Sequence, residues 1–125
     1  MIKALAIPFD EISDRVHYSV RIFNVAGTSY RLAALQSRAF EPGSMLMLKL
    51  EDNNPYDNTA VSIWDENGHT MVGYVPRELN VTIRAILEVS PESKAMVLAQ
   101  MRKGGQRVAL QVLFGPIVSN ELIKE

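Results

Sequence analysis

The segment Thr59–Val75 reads TAVSIWDENGHTMVGYV, and it decides the fold class of this chain. It holds two short stretches rich in β-branched and aromatic residues, and the first alternates between apolar and polar positions, the pattern of a half-buried strand. Between them stands Asn67-Gly68, a pair that favours hairpin turns because both residues tolerate positive φ. The segment therefore predicts an antiparallel hairpin, with Val61 and Ile63 facing inward.

Further short strands are predicted on both sides of this hairpin. In the first of them, Tyr18–Val25, the apolar phase slips by one residue, which indicates a bulge or a strand buried on both faces. A short strand is also expected near Ala4–Pro8. About six short strands favour a sandwich or a small barrel over a parallel α/β sheet. The other predicted strands are Met45–Glu51, Lys94–Met101 and Arg107–Phe114.

Two segments show the residue types and spacing of helices. Tyr30–Phe40 is rich in good helix formers and ends at Pro42-Gly43. Pro76–Val89 carries an apolar stripe at helical spacing, and Pro76 suits the first helical position. The chain is therefore predicted to be mainly β, a small β-barrel with one or two helices. The predicted boundaries are a leader at 1–17, one domain at 18–116 and a partly loose tail at 117–125.

Length and composition limit the class of protein. A chain of 125 residues fits one domain that can bury a core without covalent cross-links. It has no cysteine, which removes disulfides, thiolate metal sites and cysteine nucleophiles. No apolar run approaches the roughly 20 residues of a membrane span, and the acidic residues that soon follow the apolar N-terminus do not fit a signal peptide. We therefore expect a cytoplasmic protein that has no membrane partner.

The net charge of −1 argues against a protein that coats duplex DNA, because phosphate neutralisation dominates that kind of binding. The charge is uneven along the chain. Residues 1–76 carry six basic and nine acidic side chains, whereas residues 77–125 carry seven basic and five acidic ones. A basic edge in the C-terminal half is one interpretation of this asymmetry.

Motifs for catalysis and for metal binding are missing from the sequence. The imidazoles are those of His17 and His69, and neither stands in a pattern typical of a nucleophile or a zinc site. Gly104-Gly105 lacks the lysine and the helix of a phosphate loop, and it predicts a hairpin turn. A calcium loop beginning at Asp52 would place Asp57 where a glycine is required. We expect no enzyme activity, no metal and no cofactor.

Three pieces of sequence, taken together, resemble a known family. They are Val25–Arg31 (VAGTSYR), Asn53–Val61 (NNPYDNTAV) and Val72–Arg77 (VGYVPR). In this order and spacing they resemble the HIRAN domain, a module found at the N-terminus of some SNF2-type DNA-remodelling ATPases and as a stand-alone bacterial protein. The similarity runs from about Tyr18 to Phe114. It implies an OB-like β-barrel that binds single-stranded DNA at a free 3′-hydroxyl end.

The resemblance also implies roles for single residues. Tyr30 stands where the family has a base-stacking aromatic, and Asp57 stands where a carboxylate meets the 3′-hydroxyl. Ser29 and Arg31 flank the stacking position, where the best-studied members have a basic residue and an aromatic one. The further DNA-binding residues that it implies are Asn54 in the loop, with Tyr74 and Arg77 near the terminal nucleotides and phosphate.

Each of these residues also has an ordinary structural interpretation. Asp57 can cap the backbone amides of a turn, and Tyr30 can pack its ring in the core with its hydroxyl in water. A protein-interaction domain that receives a peptide in the same groove or along a sheet edge is therefore the alternative function. Because no motor accompanies the domain in this sequence, a DNA-processing ATPase or helicase acting in trans is a further candidate partner.

Overall fold

The computed structural model describes residues 21–115; the predicted leader, the strand near Ala4–Pro8 and the C-terminal tail lie outside them. Within this range, two α-helices, α1 (Leu32–Leu35) and α2 (Asn80–Val89), accompany six strands. The strands are β1 (Arg21–Asn24), β2 (Met45–Leu50), β3 (Val61–Asp65), β4 (Met71–Tyr74), β5 (Lys94–Lys103) and β6 (Gln106–Gly115). They form one antiparallel sheet in the order β1-β6-β5-β2-β3-β4, which confirms the mainly β prediction.

The sheet curls until its first and last strands meet. Just beyond β1, the Ala26 N–H donates to the Tyr74 carbonyl at 2.8 Å, and the Tyr74 N–H donates back to the Ala26 carbonyl at 2.9 Å. Gly73 permits this approach, because a Cβ atom there would collide with the Ala26 carbonyl oxygen. These two hydrogen bonds form the seam of a small barrel, as predicted.

The interior of the barrel is filled by side chains from all six strands. Val61 and Ile63, the predicted inward pair of β3, are fully buried. Full burial of such a side chain stabilises the fold by roughly 1.5–3 kcal/mol. Ile83 of α2 belongs to the same core, and three further apolar residues of the predicted helical stripe pack against it, namely Leu79, Ile86 and Leu87.

The helix predicted over Tyr30–Phe40 is shorter in the structure. Only Leu32–Leu35 is α-helical, and a separate 3-10 turn follows at Arg38–Phe40. The Leu35 carbonyl, which would accept the next helical hydrogen bond, accepts instead from the Arg107 guanidinium at 3.2 Å. Ser37 is extended, and its hydroxyl caps the Ala39 N–H at 3.1 Å. The prediction of a continuous helix was wrong because the contact with β6 is stronger than the local helix propensity.

The second helix also begins later than predicted. Pro76 precedes a 3-10 turn at Arg77–Leu79, and the α-helix begins at Asn80. The ψ angle of Pro76 is 138°, an extended value, so Pro76 does not occupy the first helical position. The C-terminal end at Val89 agrees with the prediction.

Both predicted hairpins are present, with one difference in loop length. Gly104-Gly105 joins β5 to β6 directly, with φ of 61° and 79°, as a two-residue turn requires. The β3–β4 connection is longer than a two-residue Asn67-Gly68 turn, because its first pairing is from the Asp65 N–H to the Thr70 carbonyl at 2.9 Å. The Asp65 carboxylate accepts the Thr70 N–H in return, at 3.0 Å, and so holds the longer loop.

The predicted irregularity of the first strand is not found in β1. Residues Arg21–Asn24 pair with β6 in one continuous register. Phe23 and Val25 are buried, whereas Ile22 is 54% exposed, so the strand has a single inner face. The rest of the predicted strand, Tyr18–Val20, lies outside the described residues.

Candidate functional site

A groove of about 320 Å³ lies along the seam of the barrel. This volume is at the lower end of the roughly 300–1,000 Å³ that is typical of small-molecule sites. The β2–β3 loop supplies one part of its wall, and the seam and the segment leading into α2 supply the rest. The residues that line it are Ala26, Asn54, Tyr56, Asp57, Ala60, Tyr74, Val75, Arg77 and Asn80. Four of the seven predicted site residues therefore meet here: Asn54, Asp57, Tyr74 and Arg77.

The Asp57 carboxylate is held by the chain around it. Its Oδ1 accepts from the Thr59 hydroxyl at 2.6 Å and from the Thr59 N–H at 2.9 Å. Its Oδ2 accepts from the Asn80 amide at 3.1 Å. The hydrogen bonds from Thr59, and more weakly the charge of Arg77, hold the pKa of the Asp57 carboxyl below its ordinary value. The groove therefore presents a fixed negative charge at neutral pH.

The Arg77 side chain is the other charge at this point of the groove. Its Nε lies 3.5 Å from Asp57 Oδ2, and the side chain is 81% exposed. An ion pair this exposed contributes little to stability, typically about 0–1 kcal/mol. Arg77 can therefore leave Asp57 for a competing anion at small cost.

Asn54 shapes the loop that carries Asp57. Its side-chain oxygen accepts from the N–H groups of Tyr56 at 2.8 Å and Asp57 at 3.2 Å, an arrangement that turns the chain sharply after Pro55. Its amide donates to Glu51 at 3.0 Å. Because both ends of the Asn54 side chain are engaged within the protein, its direct contact with a ligand stays a prediction.

The Tyr74 hydroxyl is a hydrogen-bond donor at neutral pH. It donates to the Glu51 carboxylate at 3.4 Å, a long and weak contact that a better-placed acceptor could replace. Burial raises the pKa of Tyr74, the negative charge of Glu51 raises it further, and the positive charge of Arg31 opposes both.

Arg84 of α2 supports the same loop, a role that no sequence pattern indicated. Its Nε donates to the Thr59 carbonyl at 2.8 Å. Its terminal nitrogens reach the carbonyls of Asn58 at 3.3 Å and Ala60 at 3.2 Å, and the Asp52 carboxylate at 2.9 Å. One guanidinium thus satisfies three successive backbone acceptors, a task that suits its planar set of donors.

We expect Arg84→Met to destabilise the domain by about 2 kcal/mol, because partly buried carbonyls would lose their donor. Met keeps the apolar stem of the side chain, so the change isolates the guanidinium. Urea unfolding followed by circular dichroism measures the loss. Arg38→Met, the same substitution at an exposed site, is the control, and equal stability of the two variants would contradict the role given to Arg84.

The other three predicted residues lie beside the groove rather than in its wall. Ser29 and Tyr30 belong to a 3-10 turn, Thr28–Tyr30, that begins just after Ala26. Tyr30 is 91% exposed, so the alternative in which its ring packs in the core is wrong. Ser29 and Arg31 are exposed as well. Their contact with a ligand therefore depends on one that extends past the groove.

Five residues of the groove wall were not among the predicted site residues, and two of these five, Tyr56 and Asn80, have polar side chains. Tyr56 is 90% exposed, and its position within the Asn-Pro-Tyr-Asp run was the signal that could have identified it. Asn80 is only 2% exposed and had no such signal, because it stands at the start of a helix and far from the loop in sequence.

Two basic residues of the C-terminal half, Arg84 and Arg107, do not contribute to a basic edge. Arg84 donates hydrogen bonds to the β2–β3 loop. Arg107 is buried, and its guanidinium donates to the Ser37 carbonyl at 2.6 Å. Neither is free to bind a phosphate. Of the cations described above, Arg31 and Arg77 remain beside the groove.

Among residues 21–115, no cluster of His, Cys, Asp and Glu has the geometry to hold a metal ion. In the same range, no helix has the length and apolar character to cross a membrane. His69 is exposed in the β3–β4 loop, and its N–H donates to Asp65 at 2.7 Å, whereas His17 lies outside the described residues.

A comparison with protein-family models bears on this arrangement. The model of the HIRAN domain matches residues 18–112, about three quarters of the chain. The chain belongs to the HIRAN domain family. HIRAN domains are nucleic-acid-binding modules that bind DNA, and the match covers every residue that lines the groove. No curated protein sequence matches the chain significantly.

Solved structures show the same fold. The HIRAN domain of human HLTF matches with a TM-score of 0.56 at 20% identity, covering 85% of this chain and 84% of that one. A protein from Lactobacillus plantarum matches with a TM-score of 0.54 at 22% identity, covering 75% of this chain and 91% of that one. At this identity the likeness concerns the fold, and the OB-like barrel expected of a HIRAN domain is confirmed.

Proposed function

We propose that this HIRAN domain binds the free 3′-hydroxyl end of single-stranded DNA in the groove along the barrel seam. The observation that carries the proposal is the Asp57 carboxylate, which is ionised and fixed in position within the groove. A carboxylate accepts strongly from a hydroxyl and repels a phosphate at the same place. Asp57 would therefore select a hydroxyl end over a phosphorylated one.

The open acceptor position of Asp57 is on Oδ2. Oδ1 already accepts twice from Thr59, whereas Oδ2 accepts once from Asn80 and lies 3.5 Å from the exposed Arg77. A terminal hydroxyl could take this place when Arg77 leaves it. Arg77 would then be available for the phosphate that precedes the last nucleotide.

Two exposed aromatic rings, one in the groove wall and one on the turn that follows Ala26, would supply affinity without base preference. Tyr56 lines the groove at 90% exposure, and Tyr30 stands at 91% exposure on the turn that follows Ala26. Stacking of a base on such a ring contributes roughly 1–3 kcal/mol. The bases of a short single strand could therefore stack on one ring within the groove and on another outside it.

The small number of available cations sets the expected salt dependence. Arg77, and Arg31 near Tyr74, could neutralise about two phosphates. The logarithm of the affinity for a single strand would then fall with the logarithm of salt concentration with a slope of about −1.4. This shallow slope fits a protein whose net charge is −1.

The proposal assigns the domain a binding role and no reaction. A DNA-processing ATPase or helicase in trans remains a candidate partner, and a cytoplasmic location remains a prediction. A protein-interaction role is the alternative, and the binding experiment distinguishes the two.

Fluorescence anisotropy with a 5′-labelled short single strand tests the proposal. We expect the oligonucleotide with a 3′-hydroxyl to bind at least about tenfold more tightly than the same oligonucleotide with a 3′-phosphate. Tyr30→Ala and Tyr56→Ala should each weaken binding to both ends by roughly fivefold or more, because stacking does not distinguish them. The ratio between the two ends should stay unchanged in both variants.

The other outcomes separate the competing functions. Equal binding to both ends would leave a general single-strand binder and remove the selective role of Asp57. If neither end binds to a folded protein, DNA-end recognition is wrong, and the protein-interaction role takes its place.

A further inference from the structure

The groove wall contains a buried polar atom that has no hydrogen-bond partner in the described part of the chain. Asn80 is 2% exposed, and its Oδ1 accepts no hydrogen bond. The orientation of the Asn80 amide follows from its Nδ2 atom, which donates to Asp57 Oδ2 at 3.1 Å. If the amide were reversed, its oxygen would face the carboxylate oxygen of Asp57. Buried acceptors without donors are rare and costly. This one is an acceptor that a donor group of a ligand could satisfy.

Two acceptors stand next to each other at this point. The Oδ1 and Nδ2 atoms of Asn80 share one carbon, so Oδ1 is a close neighbour of the carboxylate that Nδ2 contacts. On Asp57 the open position is also on the Oδ2 side, since Thr59 occupies Oδ1. The ligand that satisfies both residues presents two neighbouring hydroxyl donors.

We propose that Asn80 is a specificity residue for the 2′-hydroxyl of a terminal ribose, so that the groove prefers a strand whose last sugar is ribose over one that ends in deoxyribose. The proposal rests on the proposed function, which assigns the neighbouring 3′-hydroxyl to Asp57. The 2′-hydroxyl distinguishes RNA from DNA and can donate a hydrogen bond. On adjacent sugar carbons, the two hydroxyls supply the pair of donors that the two acceptors lack.

In the unbound protein the Asp57 side chain is 20% exposed, whereas Asn80 Oδ1 is buried, so a ligand reaches both acceptors only after side chains of the groove move. Asn80 Oδ1 is closed to solvent, and Arg77 lies 3.5 Å from Asp57 Oδ2. Both Arg77 and Asn80 line the groove, and Arg77 is 81% exposed. The incoming strand draws Arg77 to its last phosphate, and the terminal sugar takes the vacated place beside Asp57 and Asn80.

Three labelled oligonucleotides that differ only at the last sugar test this proposal by fluorescence anisotropy. The terminal 2′ position carries hydrogen, hydroxyl or fluorine, and each strand has a free 3′-hydroxyl. We expect the ribose-ended strand to bind roughly three- to tenfold more tightly than the deoxyribose-ended strand, the effect of one hydrogen bond. The fluorinated end, which has no donor, should bind no more tightly than the deoxyribose end.

The matched variants are Asn80→Ala and Asn53→Ala, the latter at an exposed asparagine of the β2–β3 loop. Asn80→Ala should bring the ratio of ribose-end to deoxyribose-end affinity close to one, whereas Asn53→Ala should leave it as in the wild type. Asn80→Leu, which refills the buried volume with apolar atoms, should give the same loss if the alanine variant fails to fold. The ratio of the two affinities is the informative quantity, because the loss of the Asn80 hydrogen bond to Asp57 weakens the binding of both kinds of strand alike.

Several results would overturn the proposal. Equal binding of ribose and deoxyribose ends by the wild type, together with rejection of a 3′-phosphate, would remove the role of Asn80 and leave the proposed function intact. If the ribose preference persists in both Asn80→Ala and Asn80→Leu, another residue is responsible for that preference. If no strand binds, both proposals fail together.

Discussion

Asp57→Asn is expected to weaken binding of a 3′-hydroxyl end by about 10- to 100-fold, because a hydrogen bond to a charged acceptor contributes roughly 1.5–3 kcal/mol. The same variant should bind a 3′-phosphate end more tightly than the wild type does, since it removes the repulsion between two negative groups. The preference between the two ends is therefore expected to shrink or reverse. Anisotropy titrations with the two oligonucleotides measure both changes in one experiment.

The asparagine variant keeps the shape of the loop. Its side-chain oxygen can still accept from Thr59, and its amide can donate to Asn80 if the Asn80 amide turns over, which uses the acceptor that is unpartnered in the wild type. Asp52→Asn is the control, because Asp52 is a carboxylate of the same loop that lies outside the groove and pairs with Arg84. A variant that is folded and retains the wild-type preference would show that Asp57 does not contact the chain end.

Acid should have the same effect on the wild type as this substitution. The folded pKa of Asp57 lies below its ordinary value, so the carboxylate keeps its charge through the neutral range. Its contribution to stability is present above the unfolded pKa and is lost as the pH falls through the folded pKa. Its preference for a hydroxyl end is likewise lost as the pH falls through the folded pKa. Unfolding curves collected at each pH separate loss of the fold from loss of binding.

Gly73→Ala is expected to destabilise the domain by about 3 kcal/mol or more, because overpacking of a buried position costs roughly 1–3 kcal/mol and backbone cannot move aside as a side chain can. The added methyl group would collide with the Ala26 carbonyl oxygen and would lie 2.5 Å from Val25 Cγ1. Both contacts are at the seam, so the variant prevents closure of the barrel. For a domain of this size, the loss corresponds to a fall in Tm of about 10 °C.

Gly104→Ala is the matched control, since it adds the same methyl group where nothing lies within 4 Å. Its φ of 61° makes alanine unfavourable by roughly 1–2 kcal/mol, so a smaller loss is expected. Thermal unfolding of the two variants separates collision from backbone strain. If Gly73→Ala is no less stable than Gly104→Ala, the seam can relax, and close approach at Gly73 is not what closes the barrel.

Several features of the fold could be predicted because their causes are local. The inward positions Val61 and Ile63 follow from alternation along one strand, and the Gly104-Gly105 turn follows from the positive φ that two glycines accept. The apolar stripe of α2 follows from helical spacing alone. The early end of the helix predicted over Tyr30–Phe40 could not be foreseen in the same way. Arg107, far along the chain, donates hydrogen bonds to two of the carbonyls in this segment.

For the candidate site, the residues alone predicted a turn at Asn54–Asp57, and the family resemblance attached to it a role for Asp57. The turn depends on side chains that bond to backbone within three residues, which is a local property. The partners of the Asp57 carboxylate across the groove could not be predicted. Asn80 stands 23 residues away in sequence, and its contact depends on how α2 approaches the loop.

The sequence by itself determined the positions of most strands among the described residues, the two hairpins apart from one loop length, the amphipathic helix and the membership of the HIRAN family, because each depends on residue types at fixed spacings. Only the tertiary structure decided which side chains share the groove, that Arg84 supports the β2–β3 loop and that Asn80 Oδ1 has no hydrogen-bond partner. These depend on the meeting of Ala26 with Tyr74 at the seam. That closure joins parts of the chain whose separation no local pattern encodes, and the free energy that holds it comes from burial of the whole core.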